Sequence, residues 1–230
     1  MVRFLGSDLK EWCVTCGIVA AIGEIDEAQL LRMLRRLSHR GPDDEGRVRL
    51  ACAWLGQRRL SIVDVAGGAQ PIADEAENLH IVANGEIYNH QELRSALPRH
   101  SFRSRSDTEA ALHLVEQEGA EAIAQLEGMY AFAIAGKDGR FLVARDPVGI
   151  KPLYWSEDGK THLFASELRA YDRARLPRVR EFPPGHYWTL ADGVVRFATL
   201  PLNSSATPSR TLERASRSAG RSLRRPYPAG

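Results

Sequence analysis

Cys16-Gly17-Ile18-Val19-Ala20-Ala21-Ile22-Gly23 is the stretch on which the reading of this chain turns. A cysteine stands at the head of a short, apolar, β-branched run that closes on glycine. Such a run predicts a buried strand, which puts its first residue at a strand end and at the edge of a core. A thiol held there by a rigid element, yet reachable, suits a nucleophile. A lone cysteine is equally well explained as a small buried hydrophobe, so the choice rests on the rest of the chain.

Outward from this strand, helices and strands follow without regular alternation and without an internal repeat. Asp26 to Ser38 predicts a helix, with Leu30, Leu31, Leu34 and Leu37 on one face, acids in its first turn and arginines later. Gly41-Pro42 is its stop signal. Val48 to Leu55 and Leu60 to Val63 read as strands, with Arg58-Arg59 just ahead of the second. Leu79 to Ala83 reads as a strand that runs into Asn84-Gly85-Glu86-Ile87-Tyr88-Asn89. Gln91 to Leu97 predicts a short helix, and Ser106-Asp107-Thr108-Glu109 has the form of a capping box opening a helix to about Glu118. From Met129 the period becomes that of strands: 129–135, 140–144, 153–156, 162–165, 187–190 and 194–197. Asp138-Gly139, Asp158-Gly159 and Asp192-Gly193 punctuate them as hairpin turns. The fold class expected is α+β with mainly antiparallel sheet.

The 230 residues are enough for one large domain or two small ones. The formal net charge of +2 is unevenly spread. Residues 203–230 hold six arginines against Glu213, a net +5, which leaves −3 for residues 1–202. Nothing in this mildly acidic body suggests a nucleic-acid surface, and the Ser-, Arg-, Pro- and Ala-rich tail is expected to be disordered. Three cysteines favour a reducing compartment over a disulfide framework. No stretch approaches the ~20 apolar residues of a membrane span, and residues 1–15 lack the apolar centre of a secretory signal. A cytoplasmic protein without membrane or nucleic-acid partners is the expectation.

Several chemistries compete for Cys16. Trp12-Cys13-Val14-Thr15-Cys16 has the W-C-x-x-C form of a redox site, but such a site needs a strand before it and a helix after it, and here a strand follows. Zinc would need a second ligand pair that Cys52 alone does not supply, so no metal site is expected. A Cys–His hydrolase finds no distinctive histidine except His39, at a helix end.

Six stretches in order carry a resemblance: Cys16-Gly17-Ile18-Val19, Ser38-His39-Arg40-Gly41-Pro42-Asp43, Arg59-Leu60-Ser61-Ile62-Val63-Asp64, Asn84-Gly85-Glu86-Ile87-Tyr88-Asn89, Ser106-Asp107 and Arg145-Asp146. Together they resemble the class II glutamine amidotransferases, N-terminal nucleophile hydrolases, and within them the glutaminase domain of glutamine-hydrolysing asparagine synthetases. The resemblance covers about residues 16–200 and implies a four-layer αββα sandwich. It also implies roles. Cys16 would attack the side-chain amide of L-glutamine and pass through a thioester, with the cysteine's own α-amino group as base. Asn84 and the backbone of Gly85 would face the oxyanion. Arg59 would grip the substrate carboxylate, Glu86 and Asp107 the ammonium, and Ile62 and Val63 would offer backbone groups.

On this reading the chain divides into an N-terminal extension or propeptide (1–15), a glutaminase domain (16–202) and a basic tail (203–230). No cofactor is expected in the chain, ATP and magnesium belonging to a synthetase domain or subunit that could act in trans. Two departures from the family pattern stand out: fifteen residues precede Cys16, and Gln57 stands where histidine is expected before the arginines. A catalytically silent scaffold, or an ammonia-supplying subunit for another acceptor, are the alternatives.

Overall fold

The first strand, β1 (Gly17–Ile22), is buried at every position, because each of its faces meets a different core. The computed structural model describes residues 15–60 and 68–199. Residues 1–14, Ile62, Val63 and the tail 203–230, all of which carried sequence expectations, lie outside the described residues. After β1 come α1 (Glu27–Arg36), β2 (Asp44–Leu50), β3 (Ala53–Arg59), β4 (Ile72–Ala73) and β5 (Leu79–Ile87). Then follow α2 (His90–Ala96), α3 (Asp107–Glu118), β6 (Gly128–Gly136), β7 (Phe141–Arg145), β8 (Tyr154–Asp158) and β9 (Thr161–Ala165). β10 (Arg180–Glu181), β11 (His186–Thr189) and β12 (Gly193–Arg196) complete the described chain.

The strands form two six-stranded sheets, β10-β8-β9-β1-β3-β2 and β12-β11-β7-β6-β5-β4. Every pairing is antiparallel. Period-two alternation assigns the side chains to layers. Ile18, Ala20 and Ile22 of β1 meet Ala131, Ala133 and Ala135 of β6 between the sheets. Val19 and Ala21 turn the other way, onto Leu30, Met33, Leu34 and Leu37 of the α1 segment. Tyr130, Phe132 and Ile134 of β6 turn away from the inter-sheet core, onto Ala111, Leu112 and Val115 of α3. Helix, sheet, sheet and helix thus stack as the expected four-layer αββα sandwich. Each leucine fully buried under α1 contributes about 1.5–3 kcal/mol relative to an exposed one.

Three local expectations are corrected. Residues 48–55, read as one strand, are the adjoining parts of β2 and β3, which pair with Leu50 opposite Ala53. The turn sits at Ala51-Cys52, within an apolar run and without glycine, proline or asparagine to mark it. Arg58 and Arg59 consequently lie inside β3, at its end; the strand expected at Leu60 to Val63 lies, from residue 61 on, outside the described residues. The capping box also differs: Ser106 makes no side-chain cap bond at the start of α3. Glu109 instead accepts from the backbone N–H groups of Arg103 (2.6 Å) and Ser104 (2.8 Å), further upstream. The Asp-Gly turns fall where expected, between β6 and β7, β8 and β9, and β11 and β12. The two-residue strands β4 and β10 carry too little pattern to be read from sequence.

Candidate active site

Cys16 is half-buried at the mouth of β1, its Sγ 3.9 Å from the Leu60 carbonyl oxygen. The residues around it are held from behind. Arg40, only 4% exposed, donates from Nε to the Cys16 carbonyl (3.1 Å), from Nη2 to the Thr15 hydroxyl and from Nη1 to Glu167 (2.7 Å). Burial would raise the Glu167 carboxyl, but hydrogen bonds from Arg40 and His39, and their charges, outweigh it and hold the group below its usual range. The buried Ser166 hydroxyl accepts from the Ile18 N–H at 2.9 Å and fixes the first turn of chain after the thiol.

A cleft of about 520 Å³ opens in front of Cys16. Its lining includes Arg59, Asn84, Gly85, Glu86 and Asp107, so all the candidate residues that the structure describes converge on one space. Asn84 is 1% exposed, and its side-chain nitrogen has no hydrogen-bond partner among the described residues. Ala83 beside it is held at both of its backbone polar groups. The Ala83 N–H donates to Gln70 Oε1, and the Ala83 carbonyl accepts from Gln57 Nε2, each at 2.6 Å. Gln57, the departure noted in the sequence, therefore acts as a buried strut that carries a hydrogen bond from β3 of one sheet to β5 of the other.

Gly85 has φ +150°, and a Cβ there would lie 2.0 Å from the Met129 carbonyl oxygen. The close approach of β6 alone demands glycine at this position, whatever its N–H contributes to the chemistry. Asp107 heads α3 and accepts from the Ile87 N–H at 2.6 Å, tying the helix start to the end of β5. Glu86 sits at the exposed rim. Arg59 ends β3 with 7% of its surface exposed, and its carbonyl accepts from the Asp43 N–H at 3.1 Å. Cationic Arg59, Arg105 and Lys151 and anionic Glu86 and Asp107 line the same cleft. Both signs of charge around a thiol and a buried amide donor suit a small zwitterion with a reactive carbonyl.

Arg145-Asp146 proves to be a shaping pair. The fully buried Asp146 accepts from the N–H groups of Val148 (3.1 Å), Ile150 (3.0 Å) and Lys151 (3.0 Å). Arg145 donates to the carbonyls of Gly149 (2.9 Å), Lys151 (2.8 Å) and Phe182 (2.6 Å). Together they fold the loop that brings Lys151 to the cleft. Sequence reasoning assigned no role to Arg40, Gln57, Gln70, Arg105 or Lys151. Arg40, Gln57 and Arg105 lie in or beside quoted motifs; Gln70 and Lys151 carry no local signal.

Comparison with known proteins adds to this geometry. The glutamine amidotransferase domain model matches residues 15–179. A glutamine-hydrolysing asparagine synthetase of Triphysaria versicolor is 41% identical over 204 residues, covering 84% of this chain and 34% of that protein. Asparagine synthetase 3 of Arabidopsis thaliana is 40% identical over 203 residues, covering 84% and 35%. The chain thus spans about a third of the length of these curated relatives. The glutamine phosphoribosylpyrophosphate amidotransferase of B. subtilis shares the fold, with a TM-score of 0.65 at 24% identity over 80% of this chain and 49% of that one.

Proposed function

The chain belongs to the glutamine amidotransferase domain family, and from that premise we propose that it hydrolyses L-glutamine to glutamate and ammonia at Cys16. The observation that carries the proposal is the shared cleft of Cys16 and a buried Asn84 amide nitrogen that has no partner among the described residues. Cys16 Sγ bonds to the substrate δ-carbon, and its proton passes to the α-amino group of the same residue. The carbonyl oxygen becomes an oxyanion facing Asn84 Nδ2 and the Gly85 N–H. As the oxyanion collapses, the C–N bond breaks and the amine returns the proton to the departing ammonia. Water then cleaves the glutamyl thioester, regenerating the thiol and releasing glutamate.

Arg59 pairs with the substrate α-carboxylate, and Glu86 with the free oxygen of Asp107 receives the α-ammonium. Ile62 and Val63 are proposed to add backbone contacts. None of these steps calls for a cofactor. The ammonia would go to an acceptor activated elsewhere, with ATP and magnesium, by a synthetase domain or subunit; asparagine synthesis is the acceptor reaction favoured by the relatives. A thiol nucleophile keeps best in a reducing compartment, and the cytoplasm is the proposed location. No helix among the described residues is long and apolar enough to cross a membrane.

One structural detail limits the mechanism. The nitrogen of Cys16 is acylated by Thr15, and an amide nitrogen has no useful basicity. Activity on this mechanism requires removal of residues 1–15, and the uncut chain is the silent scaffold. Residues 16–202 would then be the working domain. The direct test of the nucleophile is a glutamine-mimicking electrophile incubated with the active chain. A single adduct on Cys16, abolished by excess glutamine and by Cys16→Ala, is expected. Glutamate release that survives Cys16→Ala would overturn the proposal.

A further inference from the structure

We propose that Glu75, His100, His113 and Glu116 form a tetrahedral site for Zn²⁺, apart from the glutamine cleft. Glu75 lies in the turn between β4 and β5, His100 in the loop after α2, and His113 and Glu116 one turn apart on α3. Their ligand atoms lie within 4.8 Å of one another. Nitrogen and oxygen alternate around the group. His100 Nδ1 is 3.2 Å from Glu75 Oε1 and 3.7 Å from Glu116 Oε2, and His113 Nδ1 is 3.1 Å from Glu116 Oε2 and 3.6 Å from Glu75 Oε2. Zinc bonds of about 2.0–2.1 Å in tetrahedral array place neighbouring ligands ~3.3 Å apart. The four N···O distances bracket that length, Glu75 turning one oxygen to each imidazole.

The surroundings point the same way. His113 is fully buried, with Nδ1 turned to the cluster, while Nε2 has no hydrogen-bond partner among the described residues. Beyond Nε2, at 3.7 Å, lies Oε1 of the equally buried Glu109. The Glu109 carboxylate is pinned by the Arg103 N–H, the Ser104 N–H and the Ser104 hydroxyl (2.7 Å). Glu109 thus stands behind the imidazole, beyond hydrogen-bond length but on the side from which a carboxylate supports a metal-ligating histidine. The His100 and His113 rings stack at 28° with centroids 4.4 Å apart, and both Nδ1 atoms face the same two carboxylates. Two imidazoles and two carboxylates match zinc and its transition-metal neighbours; calcium and magnesium require six or more oxygens. Two carboxylates also neutralise the charge of a divalent ion.

None of the four ligands lines the glutamine cleft, so the site is independent of the reaction proposed above. Its place in the fold gives it a structural consequence. It would join the β4–β5 turn and the loop preceding α3 to α3 itself, the helix whose first residue is Asp107. Sequence spacing hides the group, because its members are 25, 13 and 3 residues apart and only the fold assembles them.

The test uses the full chain, stripped by chelator and with its cysteines alkylated so that thiols do not compete. Titration with Zn²⁺ should give one tightly bound ion per chain and raise the melting temperature. Co²⁺ should give the intense visible absorption of a four-coordinate ion. His100→Ala, at the half-buried rim, and Glu75→Gln should each weaken Zn²⁺ binding by at least about tenfold, while circular dichroism of the metal-free variants matches the parent. Absence of stoichiometric Zn²⁺ binding, or binding that both substitutions leave unchanged, would overturn the site and leave a cluster of histidine–carboxylate ion pairs.

Discussion

Asn84 is expensive to keep where it is. A buried donor without a partner costs about 1–3 kcal/mol, and a strand interior would accept an apolar residue instead. The cost is recovered if the amide meets an oxyanion that exists only while glutamine is being cleaved. Asn84→Ala should therefore lower kcat by roughly 100–1000-fold with a smaller change in KM. Arg59→Ala should act the other way, weakening glutamine binding by about 2–5 kcal/mol, because on the proposed reading the carboxylate is held before and during the reaction. Steady-state kinetics of the two variants separate the roles, and an unchanged kcat in Asn84→Ala would remove the oxyanion assignment. These residues could be read from the sequence because their chemistry lies in their own side chains, within quoted motifs. Arg40 could not be given its role in that way. It works through the carbonyl of Cys16 and the hydroxyl of Thr15, and nothing in a Ser-His-Arg-Gly-Pro-Asp stretch says which backbone group the arginine will reach.

β5 and β6 carry the element-scale argument. Their register sets Gly85 opposite Tyr130 and Ile87 opposite Gly128. With the Met129 carbonyl oxygen 2.0 Å from the position a Cβ at Gly85 would take, Gly85→Ala must push the strands apart. A destabilisation of at least ~1–3 kcal/mol is expected, seen as a fall in Tm on the order of 5 °C. A thermal melt matching the parent would show that the strands yield without cost. Elements with strong period or turn chemistry were legible: β1, α1, and the hairpins at Asp138-Gly139, Asp158-Gly159 and Asp192-Gly193. The β2–β3 turn was not, because Ala51-Cys52 has no turn chemistry and the apolar pattern runs straight across it. The start of α3 was half legible. Its position is where the Ser106–Glu109 pattern put it, but the Glu109 carboxylate is drawn upstream to the 103–104 backbone, a choice set by tertiary packing.

At the scale of the whole molecule, the site exists because two sheets are stacked. Cys16 enters β1 of one sheet, Asn84 sits on β5 of the other, and the Gln57–Ala83 hydrogen bond crosses between them beside the cleft. Cys16 and Asn84 stand sixty-eight residues apart in sequence; only the layer packing of Ile18, Ala20, Val82 and Ala131 brings them to one space. Residue types and order could therefore identify the candidates, while their convergence had to come from the fold. The same packing keeps Thr15 and Cys16 against Arg40, with the Cys16 nitrogen in an amide. The central claim, a thioester hydrolase driven by the cysteine's own amine, is tested most directly by intact mass and N-terminal sequencing of the protein from its native host. Both are read beside glutamate release from glutamine. Activity should appear only in chains that begin at Cys16. Full glutamine hydrolysis by a chain with Thr15 still attached would contradict it.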